Sequence, residues 1–162
     1  MISEGGYNSF SFREIAVTVG IKSSSVHYHF QTKAHLGAAV ARYYTDRFLE
    51  SLGNPEDLKD PVKTFVHAFE KVLLQDQGMC LCGLLGAEIN GLPSKVINET
   101  KLFFERTTEW LTRAYDVNGN KKESRTKAIQ TLAILEGAMI MCTVLRDNET
   151  FYQAEKLIAT YK

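Results

Sequence analysis

The sequence predicts an all-α fold, with a helix-turn-helix module in residues 1–52 and a larger helical domain in residues 53–162. Apolar residues recur at intervals of three and four along most of the chain, which is the spacing of one helix face. No convincing strand-like alternation of apolar and polar residues occurs, and the 162 residues include only three prolines. A hydrophobic content of 44% is enough for a substantial core.

The first strong pattern is a helix that begins at Ser11. Ser11, followed three residues later by Glu14, forms a capping box, which satisfies backbone N–H groups at a helix start. Gly20 predicts the end of the helix, because glycine accepts the left-handed backbone that helix C-termini often adopt. Ile21 is expected to return to the core. The apolar positions of this helix are Phe12, Ile15, Ala16 and Val19.

A second helix is predicted from Lys22 to Phe30. Val26 and Phe30 lie four residues apart and face the core, so the serines, the histidines and Tyr28 point elsewhere. Small serines allow the backbone to come close to DNA, and hydroxyl and imidazole groups reach base edges or phosphates. The two helices therefore predict a DNA-reading hairpin, and the alternative is an ordinary helical hairpin.

The run from Gly6 to Leu36 resembles the DNA-binding region of TetR/AcrR-type transcriptional repressors. The matching elements are Gly6-Tyr7, residues 12–16, Val19-Gly20-Ile21, Val26–Phe30 and Thr32-Lys33. Two positions depart from the usual pattern, because His27 stands where tyrosine is commonest and Ala34 replaces an acidic residue. The resemblance implies a homodimer that binds double-stranded DNA at a palindromic operator and responds to a small molecule.

The resemblance also implies which residues contact DNA. The positions that face base edges in similar repressors are occupied here by Lys22, Ser23, Ser24 and Tyr28. The positions that usually hold phosphates are occupied by His29, Thr32 and Lys33, and His27 suits either role.

Members of this family begin with a helix ahead of the Gly-Tyr pair, which packs under the hairpin and touches the DNA backbone. Here only residues 1–5 precede Gly6. We therefore expect either a shortened version of a longer protein or a chain that has lost part of its DNA-binding support. The alternative function is a dimeric small-molecule-binding or cysteine redox-sensing helical protein with impaired DNA binding.

Turn and cap signals divide the rest of the chain into further helices. Thr32 caps a helix that stops near Gly53, and Asp60-Pro61 opens the next helix as cap and first-turn residue. The glycine-rich apolar stretch at residues 78–91 predicts a short helix with close neighbours. Pro93 then starts a long helix.

A helix from about Lys122 to Arg146 is apolar at nearly every position after Leu132. A helix that is apolar on all sides has to be covered on all sides. We therefore predict a homodimer through this helix and the last one, near residues 148–161, and the alternative is a core helix in a monomer. The predicted interface residues are Ile129, Leu132, Gly137, Ala138, Ile140, Leu145, Phe151 and Leu157.

The resemblance further implies a pocket for an unknown effector inside the helical domain. The candidate wall residues, each of which also suits simple core, are Phe65, Phe69, Phe103, Phe104, Trp110, Glu136 and Met139. Glu136 is the polar exception in its apolar run, and an unpaired buried carboxylate is costly. It is therefore expected to meet an arginine, a donor from the partner subunit or a cationic group of the effector.

Cys80 and Cys82 offer a rival trigger, because some relatives sense oxidants through a cysteine in this region. A thiolate forms readily only where its surroundings lower its pKa, and the nearest ionisable residues in the sequence, Asp76 and Glu88, are acidic. A buried structural role is therefore the favoured interpretation. Together with His67 these cysteines lack the spacing of a zinc site, and no phosphate loop or catalytic triad is suggested. We expect no enzymatic activity, cofactor or metal.

The 19 basic and 19 acidic side chains balance, so no broad cationic surface indicates a non-specific nucleic-acid binder. The N-terminus lacks a signal segment, and no apolar run reaches about 18 residues. We therefore expect a cytoplasmic protein without a membrane partner.

Overall fold

A computed structural model describes residues 5–75, 79–116 and 119–161 of the chain. Within these ranges the regular structure is helical and no strand occurs, which confirms the all-α prediction. The helices are α1 Phe12–Val19, α2 Ser23–His29, α3 Lys33–Leu52, α4 Pro61–Gln75, α5 Leu81–Ala87, α6 Ser94–Tyr115, α7 Lys121–Leu145 and α8 Glu149–Ile158. Short 3-10 turns lie at Tyr7–Ser9, Pro55–Asp57 and Ile89–Gly91.

Three of the predicted helix starts are confirmed by their caps. In each case a side-chain oxygen accepts the backbone N–H three residues later, over 3.2 Å at Ser11, 3.2 Å at Thr32 and 3.0 Å at Asp60. Such a bond satisfies one of the backbone donors that a helix N-terminus leaves without a partner. These starts are therefore set by the local sequence.

The turn between α1 and α2 follows the prediction except at its apolar residues. Gly20 adopts the left-handed conformation (φ 75°), and its N–H and that of Ile21 both reach the carbonyl of Ala16. The expectation that Ile21 returns to the core is wrong, because its side chain is 45% exposed, and Val19 is exposed as well. The fully buried residues of the hairpin are Ala16 and Val26, and the half-buried Phe12, Ile15 and Phe30 also pack against the core.

An aromatic cluster forms the centre of the core in the larger domain. Phe48 of α3 meets Phe65 and Phe69 of α4 edge-on, with ring centroids 5.6 and 5.5 Å apart. Phe65 also lies against Trp110 of α6 at 5.5 Å. Edge-on and tilted arrangements are favourable for aromatic rings beyond the burial of their surface. The cluster therefore joins α3, α4 and α6.

The buried face of α6 carries several threonines, whose hydroxyl groups need partners away from water. Thr100, Thr107 and Thr112 each donate to the carbonyl four residues earlier, at 2.7–2.9 Å. Their methyl groups are then free to pack as apolar surface, and the helix stays apolar toward its neighbours. This satisfies the buried polar atoms of a helix that packs against both α3 and α7.

Polar contacts hold α3 alongside α6. Arg42 pairs with Glu99, and the guanidinium of Arg106 binds Asp46 at 2.6 Å. At the far end Trp110 Nε1 donates to the carbonyl of Gly53, 2.8 Å away. These contacts follow α3 from its first half to its C-terminus, and they fix the direction of the helix that carries the hairpin.

Replacing Gly20 with alanine tests the turn. No atom lies within 4 Å of the position that a β-carbon would take there, so the cost comes only from the positive φ. We expect Gly20→Ala to lower the free energy of unfolding by about 1 kcal/mol in urea titrations. Gly91→Ala, also in open space and without a positive φ, is the matched control and is expected to be near neutral. Equal effects of the two substitutions would contradict this account.

Candidate nucleic-acid interface

The outward face of α2 carries the residues predicted to meet base edges. Val26 is buried and anchors the helix, while Tyr28, two residues later, is 84% exposed. Lys22 and Ser24 are also exposed, and Ser23 is half-buried. The phenol of Tyr28 therefore lies outside the buried core. The hairpin therefore presents one large amphipathic ring to solvent beside small and basic groups.

Both histidines of α2 lie against aromatic rings. The ring of His27 meets Phe12 of α1 edge-on at 4.6 Å, and the ring of His29 meets Tyr28 at 5.2 Å. Both histidines keep exposed surface. The contact to Phe12 holds His27 at the junction of α1 and α2, whereas His29 restrains the exposed ring of Tyr28.

The predicted phosphate contacts at the start of α3 are engaged within the chain. Thr32 caps α3, so its hydroxyl oxygen already accepts a backbone N–H. The ammonium group of Lys33 lies 4.8 Å from the centre of the Tyr7 ring and 4.5 Å from that of Phe10. Aromatic faces attract a cation in this position. Lys33 is therefore held at the N-terminus of α3 by two rings.

Sequence reasoning missed Glu88 as a partner of the hairpin. Its carboxylate accepts the backbone N–H of Tyr7 at 2.9 Å, across 81 positions in the chain. The Gly6-Tyr7 pair was recognised as part of a motif, but no local signal in the sequence connects it with Glu88. The contact depends on the tertiary path of α5.

Most of the predicted effector-wall residues fill the core with one another. Phe65, Phe69, Phe103 and Met139 are at most 1% exposed. Of the two cavities described, the first includes one predicted wall residue, Trp110, and the second includes none. One of about 500 Å³ is lined by Trp110 among residues of α3 and α6. Another, of about 700 Å³, lies between α4, the end of α6 and α8. Two residues of the predicted wall border the short helix α5, Phe104 against Gly86 and Glu136 against Gly83.

The carboxyl group of Glu136 is buried, although the residue as a whole is only half-buried. Its Oε1 atom is buried without a hydrogen-bond partner, and a β-carbon on Gly83 would lie 2.2 Å from Oε2. Burial raises the pKa of Glu136 to about 7, and a hydrogen bond with Cys80 offsets only part of this effect. None of the contacts described for this carboxyl group comes from an arginine. The packed structure therefore favours the protonated acid.

The cysteines lie in the same polar region. The hydroxyl of Tyr44 donates to Cys80 Sγ at 3.6 Å. Burial, followed by the nearby Glu136 carboxyl, raises the pKa of Cys80 well above its ordinary value, and burial raises that of Cys82 to about 12. The carboxyl group beside Cys80 is thus Glu136 rather than Glu88, and Asp76 lies outside the described residues. These surroundings oppose thiolate formation, which favours the structural role.

The predicted dimer residues divide into two sets. Leu132, Ala138 and Phe151 are buried in the core of their own chain. Gly137 is half-buried. The remaining predicted residues are exposed, together with further apolar side chains of α7 that were not predicted. The exposed set is Ile129, Ile140, Met141, Val144 and Leu145 of α7 and Leu157 of α8, and we call it the α7–α8 apolar face.

Among the described residues, α7 is also long and apolar enough to cross a membrane by length and composition alone. Its buried side, which includes Leu135, Met139 and Cys142, packs into the core of the same chain. The apolar run in the sequence therefore contributes to two faces of α7. One face packs in the core of the same chain, and the other is exposed.

The buried carboxyl group of Glu136 is expected to make the stability of the folded chain depend on pH. Because the folded-state pKa of Glu136 is raised, the folded chain keeps a proton that the unfolded chain releases, and stability falls as the pH rises from about 4.5 to about 7. We expect Glu136→Gln to be more stable than the parent at pH 8 by on the order of 1–3 kcal/mol and similar to it at pH 4.5.

Urea unfolding between pH 4.5 and 8 measures the difference. Glu105→Gln, at an exposed glutamate of α6, is the matched control and is expected to keep the pH dependence of the parent. Parallel stability curves for Glu136→Gln and the parent would refute the assignment.

Comparisons with known proteins agree with this geometry. The family model for "Bacterial regulatory proteins, tetR family" matches residues 1–40. A TetR transcriptional regulator from Legionella pneumophila superposes with a TM-score of 0.89 and 30% identity, over 98% of this chain and 89% of the other. A TetR-family regulator from Agrobacterium tumefaciens gives 0.86 and 27%, over 97% and 88%.

The reduced form of Escherichia coli NemR gives a TM-score of 0.77 over 97% of this chain and 88% of the other, and at 19% identity it shows the shared fold alone. No curated protein sequence matches the chain. The match of the reading hairpin to the family model, and the identity to the Legionella regulator over almost the whole chain, show that the protein belongs to the TetR family of transcriptional regulators.

Proposed function

We propose that the protein is a ligand-responsive repressor that binds a palindromic operator as a homodimer in the cytoplasm. The observation that carries the proposal is the surface of α2. Tyr28 is 84% exposed on a helix that the buried Val26 fixes in place. Together with the exposed Lys22 and Ser24, the phenol of Tyr28 gives α2 an outward face of hydrogen-bonding groups that can reach the base edges or phosphates of DNA.

The roles within the hairpin follow from the positions of its side chains. Lys22, Ser24 and Tyr28 are exposed and are proposed to meet base edges, with the half-buried Ser23 beside them. His29 and Lys33 are proposed to meet phosphates. The N-terminus of α3 adds its backbone dipole to the charge of Lys33. Thr32 caps α3 and His27 packs on Phe12 of α1, so their contribution to DNA binding is proposed to be indirect.

Dimerisation is supported by the α7–α8 apolar face. Exposed aliphatic side chains three and four residues apart on one helix form a stripe, and such a stripe packs well against its own symmetry mate. Two reading helices related by a two-fold axis would meet half-sites about one helical turn of DNA apart. A single seven-residue helix such as α2 offers few base contacts, so the second copy is needed for selectivity.

The effector is proposed to act beside α5. Phe104 and Glu136 lie against two glycines of this short helix, so a molecule that entered here would displace α5 rather than a long core helix. The buried carboxyl group of Glu136 would favour a ligand that carries a hydrogen-bond donor or a cation.

Two substitutions separate sequence reading from phosphate binding. DNA selected from a random pool by the parent protein supplies the probe. We expect Tyr28→Ala to weaken binding to the selected duplex by about tenfold and to relax its sequence preference. Lys33→Ala is expected to weaken binding to all duplexes alike and to reduce the slope of log K against log salt by about one.

Fluorescence anisotropy at several salt concentrations measures both effects. Thermal unfolding serves as the control, because Lys33 also packs on two aromatic rings. An unchanged sequence preference in Tyr28→Ala would remove Tyr28 from the reading set. Failure of the parent to select any sequence would refute the proposed function.

The dimer is tested by placing a charge in its centre. Val144 is exposed in the α7–α8 apolar face, and an aspartate there would lie against its own copy or other apolar residues of the partner. We expect Val144→Asp to weaken dimerisation at least about tenfold in sedimentation equilibrium. Val17→Asp, an equally exposed valine in α1, is the matched control and is expected to leave the dimer intact. A parent protein that is monomeric at micromolar concentration would contradict the proposal.

A further inference from the structure

We infer that Glu88 is a positioning residue for the DNA-binding module: its carboxylate holds the Gly6-Tyr7 turn and, through the Tyr7 ring, sets the place of Lys33. This inference rests on the DNA-binding function proposed above. Glu88 follows the last residue of α5, so the contact joins the larger domain to the segment that precedes α1.

The Gly6-Tyr7 turn is shaped around the carboxylate of Glu88. Oε2 accepts the N–H of Tyr7 over 2.9 Å. Gly6 has a φ of 75°, and a β-carbon at this position would lie 1.9 Å from Glu88 Oε1. Glycine adopts this backbone conformation without strain, and its lack of a side chain leaves space for the carboxylate. A carboxylate accepts a hydrogen bond more strongly than a neutral acceptor does, so this bond stabilises the Gly6-Tyr7 turn against Glu88.

From the turn, the contact continues into the side chain of Tyr7. Its ring is buried, and a β-carbon on Gly37 of α3 would lie 2.8 Å from the ring and 3.2 Å from Val96 of α6. The ring is thus wedged where the two helices meet. The ammonium group of Lys33 lies over the face of the Tyr7 ring, 4.8 Å from its centre. Lys33 comes one helical turn before Gly37 in α3. Tyr7 and Phe10 are the two rings that hold the proposed phosphate-binding Lys33, so its position depends in part on the backbone bond from Tyr7 to Glu88.

The other end of α5 explains why this attachment matters. Gly83, in the first turn of α5, lies against the buried carboxyl group of Glu136, and Glu88 lies just beyond the last turn. Gly83 and Glu88 are five positions apart, so about 7.5 Å of helix joins the two contacts. The geometry places one short helix between the polar core and the reading hairpin.

The test compares Glu88→Ala, Glu88→Gln and the control Glu105→Ala, each in the full chain with the duplex selected by the parent. Hydrogen exchange of the Tyr7 amide is expected to speed up about tenfold in Glu88→Ala, while amides of α6 and α7 keep their protection. DNA affinity is expected to fall about tenfold, and the salt slope by about one. Glu88→Gln, which keeps an acceptor oxygen, is expected to recover most of the affinity.

Two further variants make the readout specific. Combining Glu88→Ala with Lys33→Ala is expected to reduce the salt slope no further than Lys33→Ala alone, because both act on one contact. Gly6→Ala, whose added methyl group displaces the carboxylate, is expected to behave like Glu88→Ala even if the latter folds poorly.

The possible failures are distinguishable. If the parent selects no DNA, the proposed function fails, and the exchange of the Tyr7 amide still decides whether Glu88 holds the turn. Parent-like amide exchange and salt slope in both Glu88→Ala and Gly6→Ala would overturn the inference. A uniform loss of amide protection along the chain would also overturn it, because that result indicates a general role in stability.

Discussion

The packing of α3 against α6 is the constraint on which the rest of the molecule depends. The N-terminal end of α3 carries the reading hairpin, and Phe48 in its second half enters the aromatic cluster with α4 and α6. Ion pairs and the bond from Trp110 to Gly53 keep the two helices parallel along this length. Because α3 is continuous for 20 residues, the direction in which the hairpin points is set by the core of the larger domain.

The buried carboxyl group of Glu136 lowers the stability of the folded chain, and its hydrogen bond with Cys80 offsets only part of this loss. Apolar side chains of the same volume would pack there without desolvating a charge. The neighbouring Tyr44 and Cys80 are hydrogen-bonded to one another, yet Glu136 Oε1 has no partner among the described residues. Destabilising groups persist where function needs them. Glu136 lies against Gly83 at one end of α5, and Glu88 at the other end accepts the N–H of Tyr7. The helix α5 therefore lies between Glu136 and the segment that precedes the hairpin.

Local signals in the sequence predicted the elements but not their contacts. The caps at Ser11, Thr32 and Asp60 and the left-handed Gly20 depend on residues within four positions, so pattern and propensity were sufficient. The exposure of Ile21 was missed, because periodicity shows which residues are apolar and not whether another element lies over them. The bond between Tyr7 and Glu88 was missed for the same reason, since it joins residues 81 positions apart.

The long apolar helix shows how the same limit applies to assembly. The run after Leu132 predicted that α7 is covered on all sides, but the sequence could not separate the side that faces α6 and α8 from the side that this chain leaves exposed. The fold makes this division, burying Leu132 and Ala138 while leaving Ile140 and Val144 outside. An exposed aliphatic stripe on a rigid core helix loses little conformational entropy when it is covered. If two copies read one operator, as proposed, the α7–α8 apolar face supplies exposed aliphatic surface against which the second copy can pack.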